Sequence, residues 1–381
     1  MDSSNRWQGR AVCVSEPGSF YFLAGAVGKQ PGAVNPGTGE STFWSGYNGR
    51  IRIALLKKES SMASFSRRRR NHALSCLALG LLLLLPAAGA VVKAESPDKP
   101  RYLVIHADDA GMSHSVNMAT IEAMEKGIVT SASIMVPCPW FVEFAEFAKQ
   151  HPELDFGIHL TLNCEWKRYR WGPVAPRSKV PSLLDKQGYL YDSVPQVAEH
   201  ARLEEVEIEL RAQIDRALKF GVPLSHLDTH MGAMVSRPDL LELYVKLGVE
   251  YDLPILFMRS ISERLRKQYP ALEIDTKPLV AALEKQKLPL LDQLLQFYSG
   301  GTHEERRAQY LQAIRDLPAG SSQIIIHCGM DNSELRAITS SAANRDSDRR
   351  VFTDPEFIAV VRRLDVKLVS WKQLHEMARG K

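Results

Sequence analysis

Three short polar clusters hold the residues of this 381-residue chain that are best suited to chemistry. They are His106-Ala-Asp-Asp-Ala-Gly111, Gly157-Ile-His-Leu160 and His226-Leu-Asp-Thr-His230. Each lies at or near the end of an apolar run that is typical of a buried β-strand. Adjacent carboxylates at such a place are costly unless a cation or a shifted pKa relieves them. Because every cluster also contains histidine, we expect that cation to be a metal ion.

One carboxylate and two imidazoles form a ligand set that leaves coordination positions open for water and substrate. A divalent ion in such a site lowers the pKa of bound water and polarises a carbonyl group. A second carboxylate beside the ligands can then act as a general base. The pattern predicts a hydrolase with one divalent metal ion, and these residue types leave the choice between magnesium and zinc open.

Each cluster taken alone also has a purely structural interpretation. The pair Asp108-Asp109 is typical of a turn that caps a helix, and His159 in its apolar run is typical of a histidine satisfied within the core. Alternate residues share a face of a strand, so the His-x-Asp-x-His pattern is the sharper signal. The three clusters together, on matching strand ends, favour a metal site.

Three further residues are secondary candidates. His106 would serve as a fourth ligand, would donate a hydrogen bond from outside the ligand set, or would only pack the end of its strand. Asp228 would orient one of the two histidines in its own cluster from outside the ligand set. Arg259 would hold Asp108 or a substrate group, and an ordinary surface ion pair is the alternative.

Short apolar runs alternate with amphipathic helical patterns from about residue 101 onward. The predicted strands are Tyr102–His106, Ser131–Val136, Phe156–Leu162, His226–Asp228, Ile255–Met258, Ile324–His327 and Lys367–Ser370. This alternation predicts an α/β fold, and a distorted TIM-like (β/α) barrel of about seven strands is favoured over an open sheet. The carboxyl ends of the strands in such a barrel converge on one pocket. We predict a single domain over residues 101–381, because no repeat or low-complexity linker divides them.

A long loop over residues 164–195 follows one predicted strand and contains Trp166, Tyr169 and Trp171. In a barrel it would lie at the carboxyl end of the strands, where sites are built. Aromatic rings exposed there would stack on sugar rings, whereas rings turned inward would pack the loop onto the barrel. The sequence leaves both interpretations open.

The N-terminal part has the features of a secretory signal. Arg67 to Arg70 form a basic segment, and the apolar run from Ala73 to Leu85 is about 13 residues long, short of the roughly 20 that span a bilayer. We predict a signal peptide over residues 62–94 and a secreted or periplasmic protein; an uncleaved anchor is the alternative. Residues 1–61 are predicted to be a disordered extension or an over-extended start.

The charges are distributed unevenly along the chain. Residues 1–94 carry 12 Lys/Arg and 4 Asp/Glu, whereas residues 95–381 carry 36 and 40. The mildly acidic body gives no electrostatic footprint for nucleic acid, and we expect no membrane association after the signal is removed. The Gly-x-Ser-x-Gly pattern of serine hydrolases and the Gly-rich phosphate or dinucleotide loops do not occur in the sequence.

Over roughly residues 101–375 the chain resembles the YdjC/ChbG family of carbohydrate deacetylases. The segments that carry the resemblance are His106-Ala-Asp-Asp-Ala-Gly-Met-Ser113, Gly127-Ile-Val-Thr-Ser-Ala-Ser133, Gly157-Ile-His-Leu-Thr-Leu-Asn163, Val180-Pro-Ser-Leu-Leu-Asp-Lys-Gln-Gly188 and His226-Leu-Asp-Thr-His230. They are specific as a group, although no single one is. The chain departs from the family at His106, where Asn is usual, and at Cys328, where Pro is usual.

The resemblance implies a role for five residues. Asp109, His159 and His230 would bind the metal, Asp108 would be the general base, and His327 would protonate the leaving amine or support the oxyanion. The implied reaction removes an acetyl group from an acetylated sugar or oligosaccharide, which we expect to contain N-acetylglucosamine. The sequence leaves open whether the acetyl group is on nitrogen or oxygen, and whether the protein is a homodimer.

Two other function classes remain open. One is a metal-dependent glycosidase or phosphoesterase-type hydrolase on the same fold. Glycosidases typically use two carboxylates on either side of a sugar ring, whereas Asp108 and Asp109 are neighbours in the chain. The other is a non-catalytic glycan-binding relative, which would not need a base beside a metal.

Overall fold

The computed structural model describes residues 99–298 and 301–380. The predicted extension 1–61 and signal segment 62–94 lie outside the described residues. The strands are β1 (Arg101–Ala110), β2 (Ser131–Ile134), β3 (Phe156–Leu160), β4 (Leu224–Thr229), β5 (Gln293–Gln296), β6 (Gly320–Ile326) and β7 (Lys367–Leu368). Every pairing among them is parallel, so their carboxyl ends point the same way.

Helices alternate with these strands along the described chain. They are α1 (His114–Glu125), α2 (Phe141–Gln150), α3 (Val194–His200), α4 (Leu203–Phe220), α5 (Pro238–Tyr251), α6 (Glu263–Gln268), α7 (Lys277–Lys285), α8 (His303–Arg315), α9 (Ser333–Ile338), α10 (Ala342–Thr353), α11 (Pro355–Val361) and α12 (Trp371–Ala378). In α4 the apolar residues Val206, Leu210 and Ile214 recur every fourth position and are fully buried. That helix ends at Gly221, whose φ of 84° is accessible to glycine without strain. Among residues 99–298 and 301–380, no helix is long and apolar enough to cross a membrane.

The sheet has the order β4-β3-β2-β1-β6-β5, and β7 pairs with the start of β1. Strand ladders do not join the edges β4 and β5. The extended segment 254–259 lies between these edges and makes isolated parallel bridges, Leu227 to Ile255 and Met258 to Leu291. The predicted α/β fold and distorted barrel are therefore confirmed. Continuous β-ladders join the strands from β4 through β1 to β5, whereas only the two isolated bridges of segment 254–259 connect β4 with the chain before β5.

The strand predictions differ from the structure in two places. The predicted strand Ile255–Met258 is wrong, because this segment makes only single bridges to its neighbours. The strand β5 was not predicted, because its short sequence Gln-Leu-Leu-Gln is polar at both ends and its residues are only half-buried. The number of strands is nevertheless seven, as predicted.

Candidate metal centre

The two adjacent aspartates lie within β1, at a β-bulge. The register against β2 shifts between Ala107 and Ala110, so that Asp108 and Asp109 together oppose the single residue Ser133. Asp109 has a φ of 70°, a left-handed conformation that is uncommon for residues other than glycine. Bulges of this kind redirect side chains and are frequent beside active sites. The bulge explains how two consecutive carboxylates both reach one pocket, which the alternation of a regular strand would prevent.

The structure brings together Asp109, His159 and His230, the three residues with predicted ligand roles. Asp109 Oδ1 lies 3.4 Å from His159 Nε2 and 3.3 Å from His230 Nδ1. One potential ligand atom from each residue lies within 4.8 Å of the other two. Asp109 Oδ1 is buried and has no hydrogen-bond partner, although buried polar atoms are normally satisfied. A carboxylate oxygen that faces two imidazole nitrogens in this way fits a divalent cation.

The surrounding charges also favour a cation at this point. Burial acts to lower the pKa of the His230 imidazole, but the carboxylates of Glu165 and Asp109 outweigh burial and raise it to about 10. Burial acts to raise the pKa of Asp109, but the Arg345 guanidinium together with His230 and His327 outweighs burial and holds that pKa well below its usual range. The pocket thus stabilises positive charge on the His230 and His159 imidazoles and negative charge on Asp109.

Arg345 is a site residue that the sequence analysis missed. Its Nη2 donates a hydrogen bond of 2.6 Å to Asp109 Oδ2, and both side chains are buried. The bond occupies one carboxylate oxygen and leaves the other facing the histidines. Arg345 lies on α10, outside every strand-end cluster and 236 residues from its partner. No spacing in the sequence indicated that the two residues meet.

Asp228 connects two of the candidate histidines. Its Oδ1 lies 2.7 Å from His159 Nδ1, and its Oδ2 lies 2.9 Å from His106 Nε2. The first contact fixes the His159 ring so that Nε2 faces Asp109, which is the usual role of a carboxylate behind a metal-binding histidine. From the sequence we expected Asp228 to orient His226 or His230, but its carboxylate contacts His159 and His106 instead.

A carboxylate from the long loop contacts the other ring nitrogen of His230. Glu165 Oε2 lies 3.0 Å from His230 Nε2. The loop itself is fastened to α4, where the Glu209 carboxylate accepts hydrogen bonds from the backbone nitrogens of Val174 and Ala175 at 2.9 and 2.8 Å. Burial raises the pKa of Glu209 to about 7. The helix α4 therefore fixes the loop that carries Glu165, the residue that contacts His230.

Asp108 lies between the three candidate ligands and His327. Its Oδ2 is 3.9 Å from His159 Nε2 and 3.9 Å from His327 Nε2, and its Oδ1 is 3.2 Å from His106 Nε2. Burial is the main reason why the pKa of His327 lies below its usual value. Burial also acts to lower the pKa of His106, but hydrogen bonds with Asp108 and Asp228 outweigh it and raise that pKa to about 10.

The structure decides two of the alternatives that the sequence left open. The side chain that caps α1 is Ser113, which accepts from the backbone nitrogen of Val116, so the aspartate pair is not a helix cap. Arg259 is half-exposed, and its Nη1 contacts Glu284 at 2.6 Å while its Nε is 3.4 Å from Asp292. Arg259 therefore forms the surface ion pair and does not contact Asp108.

The aromatic residues of the long loop have different roles. Trp171 is 3% exposed, and the Tyr169 hydroxyl donates to the backbone oxygen of Met112, so these two rings pack the loop onto the barrel. Trp166 instead lines a cavity of about 550 Å³ that also includes the three candidate metal ligands. His327 and Tyr298, whose ring centroids are 5.3 Å apart, line the same cavity.

A distorted parallel α/β barrel with a carboxylate and imidazole site at the carboxyl ends of its strands defines the class of this protein. The family model described as "YdjC-like protein" matches residues 102–363, and the chain belongs to that family. A carbohydrate deacetylase of Thermus thermophilus is 34% identical over 276 residues, which cover 72% of this chain and 94% of the relative. A carbohydrate deacetylase of Thermoanaerobacter pseudethanolicus is 28% identical over 275 residues, which cover 72% and 99%.

One solved structure has the same fold over nearly its whole length. It is described as a cellobiose-phosphate cleavage protein of Enterococcus faecalis V583, with a TM-score of 0.60 and 26% sequence identity. The match covers 72% of this chain and 99% of that structure. The similarity therefore spans the complete neighbour.

Proposed function

We propose that this protein is a metal-dependent deacetylase of acetylated sugars, with N-acetylglucosamine-containing oligosaccharides as the substrates. The observation that carries the proposal is the buried Asp109 Oδ1, which has no hydrogen-bond partner and faces both His159 and His230, with Asp108 beside them. Membership of a family whose curated relatives are carbohydrate deacetylases supports the same reaction.

In this proposal Asp109, His159 and His230 hold one divalent ion, either magnesium or zinc. Such an ion supplies Lewis acidity toward the acetyl carbonyl and lowers the pKa of water. Arg345 and Asp228 hold the ligands: the first fixes the Asp109 carboxylate, and the second fixes the His159 ring. The ligand set uses one carboxylate, which leaves Asp108 free to exchange a proton.

Asp108 is proposed as the general base that removes a proton from the attacking water. The water oxygen bonds to the acetyl carbon, the carbon–nitrogen bond breaks, and the nitrogen must receive a proton before the amino sugar leaves. The lowered pKa keeps the His327 imidazole neutral at pH 7. We therefore propose that His327 takes up a proton during the reaction and passes it to the nitrogen, with Asp108 Oδ2 as a nearby source at 3.9 Å.

The proposal includes export of the protein. The basic residues Arg67 to Arg70, followed by the leucine-rich run up to Leu85, support a signal peptide over residues 62–94. The mature chain would then begin near Glu95. N-terminal sequencing of the exported protein tests this, and recovery of an intact chain from the cytosol that starts at Met1 would contradict it.

The reaction is tested by mass spectrometry of N-acetylated chito-oligosaccharides after incubation with the metal-loaded protein. The expected result is the loss of one or more acetyl groups and an equal amount of free acetate. The Asp108→Asn variant is the matched control and should release far less acetate. Cleavage of the glycosidic bond without release of acetate would contradict the proposal in favour of a glycosidase, and binding without any cleavage would favour a glycan-binding protein.

A further inference from the structure

His106 is fully buried beside the candidate metal centre, and polar atoms contact both of its ring nitrogens. Nδ1 lies 3.0 Å from Ser131 Oγ. Nε2 lies 2.9 Å from Asp228 Oδ2 and 3.2 Å from Asp108 Oδ1. One ring therefore bridges the proposed general base and the carboxylate that orients a candidate metal ligand.

The contact at Nδ1 requires a proton on that nitrogen. A hydroxyl group has one proton, and Ser131 donates it to Asp155 Oδ1 at 2.6 Å. Ser131 Oγ can then only accept a hydrogen bond from His106 Nδ1. The Asp155 carboxylate is fixed in turn, because its Oδ2 accepts a hydrogen bond of 2.8 Å from the backbone nitrogen of Lys372.

The contacts at Nε2 require a second proton. Ionised carboxylates only accept hydrogen bonds, so Asp108 and Asp228 both need a donor at this nitrogen. If Ser133 Oγ, 3.1 Å away, donated to an unprotonated Nε2, the lone pair of that nitrogen would face both carboxylates. With both nitrogens protonated, the His106 ring carries a positive charge, which agrees with its pKa of about 10.

The neighbouring His226 ring is arranged to stay neutral. Its centroid lies 5.0 Å from that of His106. The Ser225 hydroxyl donates to the backbone oxygen of Phe156 at 2.9 Å, so it accepts from His226 Nδ1 at 2.8 Å. His226 Nε2 has no hydrogen-bond partner, and a Cβ at Gly157 would lie only 2.4 Å from it. Of these two adjacent rings, His106 is therefore the one that carries charge.

We propose that His106 is a buried cation that holds Asp108 and Asp228 together, and that it acts as a positioning residue of the reaction and not as a metal ligand. Its effect on turnover rests on the proposed function. The ring holds Asp108 Oδ1, while Oδ2 lies 3.9 Å from both His159 Nε2 and His327 Nε2. The positive charge also offsets the repulsion between two carboxylates that share one nitrogen. Asparagine, which is usual at this position in the family, can donate a hydrogen bond but carries no charge.

Nitrogen-15 NMR of the zinc-loaded full chain with labelled histidines tests the charge directly. At about pH 8, well above the ordinary histidine pKa of about 6.5, both ring nitrogens of His106 should have the shifts of protonated nitrogens. His226 should show one protonated and one unprotonated nitrogen in the same spectrum. His106→Asn and His226→Phe each remove one set of signals and so assign them. An unprotonated His106 nitrogen, which a metal ligand would also need, would overturn the inference.

A double-mutant cycle tests the positioning role through acetate release from N-acetylated chito-oligosaccharides at saturating metal. H106N should lower kcat by about tenfold or more and change KM by less than about twofold, because the base loses its partner while the substrate contacts remain. The D108N background is the matched control. There the same substitution should change kcat by less than about twofold, because no base is left to position. An equal fold-loss in both backgrounds would show a general packing effect and would overturn the inference.

The two measurements distinguish failure of the inference from failure of the proposed function. If H106N does not fold, the equally neutral His106→Gln takes its place in both. If no acetyl sugar is hydrolysed, the proposed function fails, and the spectrum still supports or overturns the charged bridge because it needs no substrate. If acetate is released but His106 has an unprotonated nitrogen, the inference alone fails.

Discussion

Arg345 Nη2 lies 2.6 Å from Asp109 Oδ2, so a helix near the end of the chain fixes a carboxylate on the first strand. The two residues are buried at 7% and 2% exposure, and such a pair would be expensive to break. The contact determines which Asp109 oxygen faces the histidines. It therefore connects the packing of α10 with the candidate metal centre.

We predict that Arg345→Met lowers metal affinity by about 10- to 100-fold, the usual effect of losing a partner of a ligand. Titration calorimetry with zinc and magnesium measures it. The control is Arg349→Met on the same helix, because Arg349 pairs with Glu122 and Asp346 away from the site. Equal metal affinity in R345M and the wild-type protein would show that the arginine does not position Asp109.

Asp228→Asn should also weaken the site without removing a ligand. The amide keeps the shape of the side chain but loses the charge that fixes the His159 ring, so we expect a 10- to 100-fold fall in metal affinity. Asp215→Asn is the control, because this exposed carboxylate accepts a hydrogen bond from the Tyr251 hydroxyl away from the site. Equal metal affinity in D228N and the parent protein would contradict this role of Asp228.

His226 should make the stability of the fold dependent on pH. Burial, together with the nearby His106, lowers its pKa to about 4, from 6.5 in the unfolded chain. Between these values the unfolded state binds more protons, so the free energy of unfolding falls as the pH is lowered. The contribution of His226 to that fall is about 2 kcal/mol between pH 7 and pH 5.

Urea unfolding of the wild-type protein and His226→Phe at both pH values measures this contribution. Phenylalanine can keep the stacking of the ring on Trp371, whose centroid is 5.3 Å away, and it does not titrate in this range. Between pH 7 and pH 5, the free energy of unfolding of H226F should therefore fall by about 2 kcal/mol less than that of the wild-type protein. The control is His200→Gln, at a half-exposed histidine. This variant should show the same fall in unfolding free energy between pH 7 and pH 5 as the wild-type protein. Parallel curves for H226F and the wild type would contradict the prediction.

Much of the fold was predictable because buried parallel strands have a strong sequence signal. Six of the predicted strands have a counterpart in the structure, and the strand ends bring Asp109, His159 and His230 together from segments far apart in the chain. The segment 254–259 was predicted as a strand because apolar runs look alike whether or not they form ladders. The short strand β5 carries too few apolar residues to be distinguished from a loop.

The parts of the site that escaped prediction depend on tertiary packing or local backbone geometry. Arg345 reaches the centre only because α10 packs beside α1, and no local pattern encodes that contact. The bulge in β1 was also not visible, although the adjacent Asp108 and Asp109 could have suggested one. Glu165 was overlooked for a similar reason. It lies in a loop, and a loop sequence has no periodicity that indicates where a side chain points.

The central claim is that neighbouring carboxylates have separate tasks, with Asp109 holding the metal and Asp108 exchanging the proton. The most direct measurement is the metal content and the rate of acetate release of Asp108→Asn and Asp109→Asn, prepared in parallel. We predict that D109N binds little metal, whereas D108N keeps its metal and loses about 10²- to 10⁴-fold in turnover, the usual contribution of a general base. Near-normal turnover in D108N, or full metal content in D109N, would contradict the account.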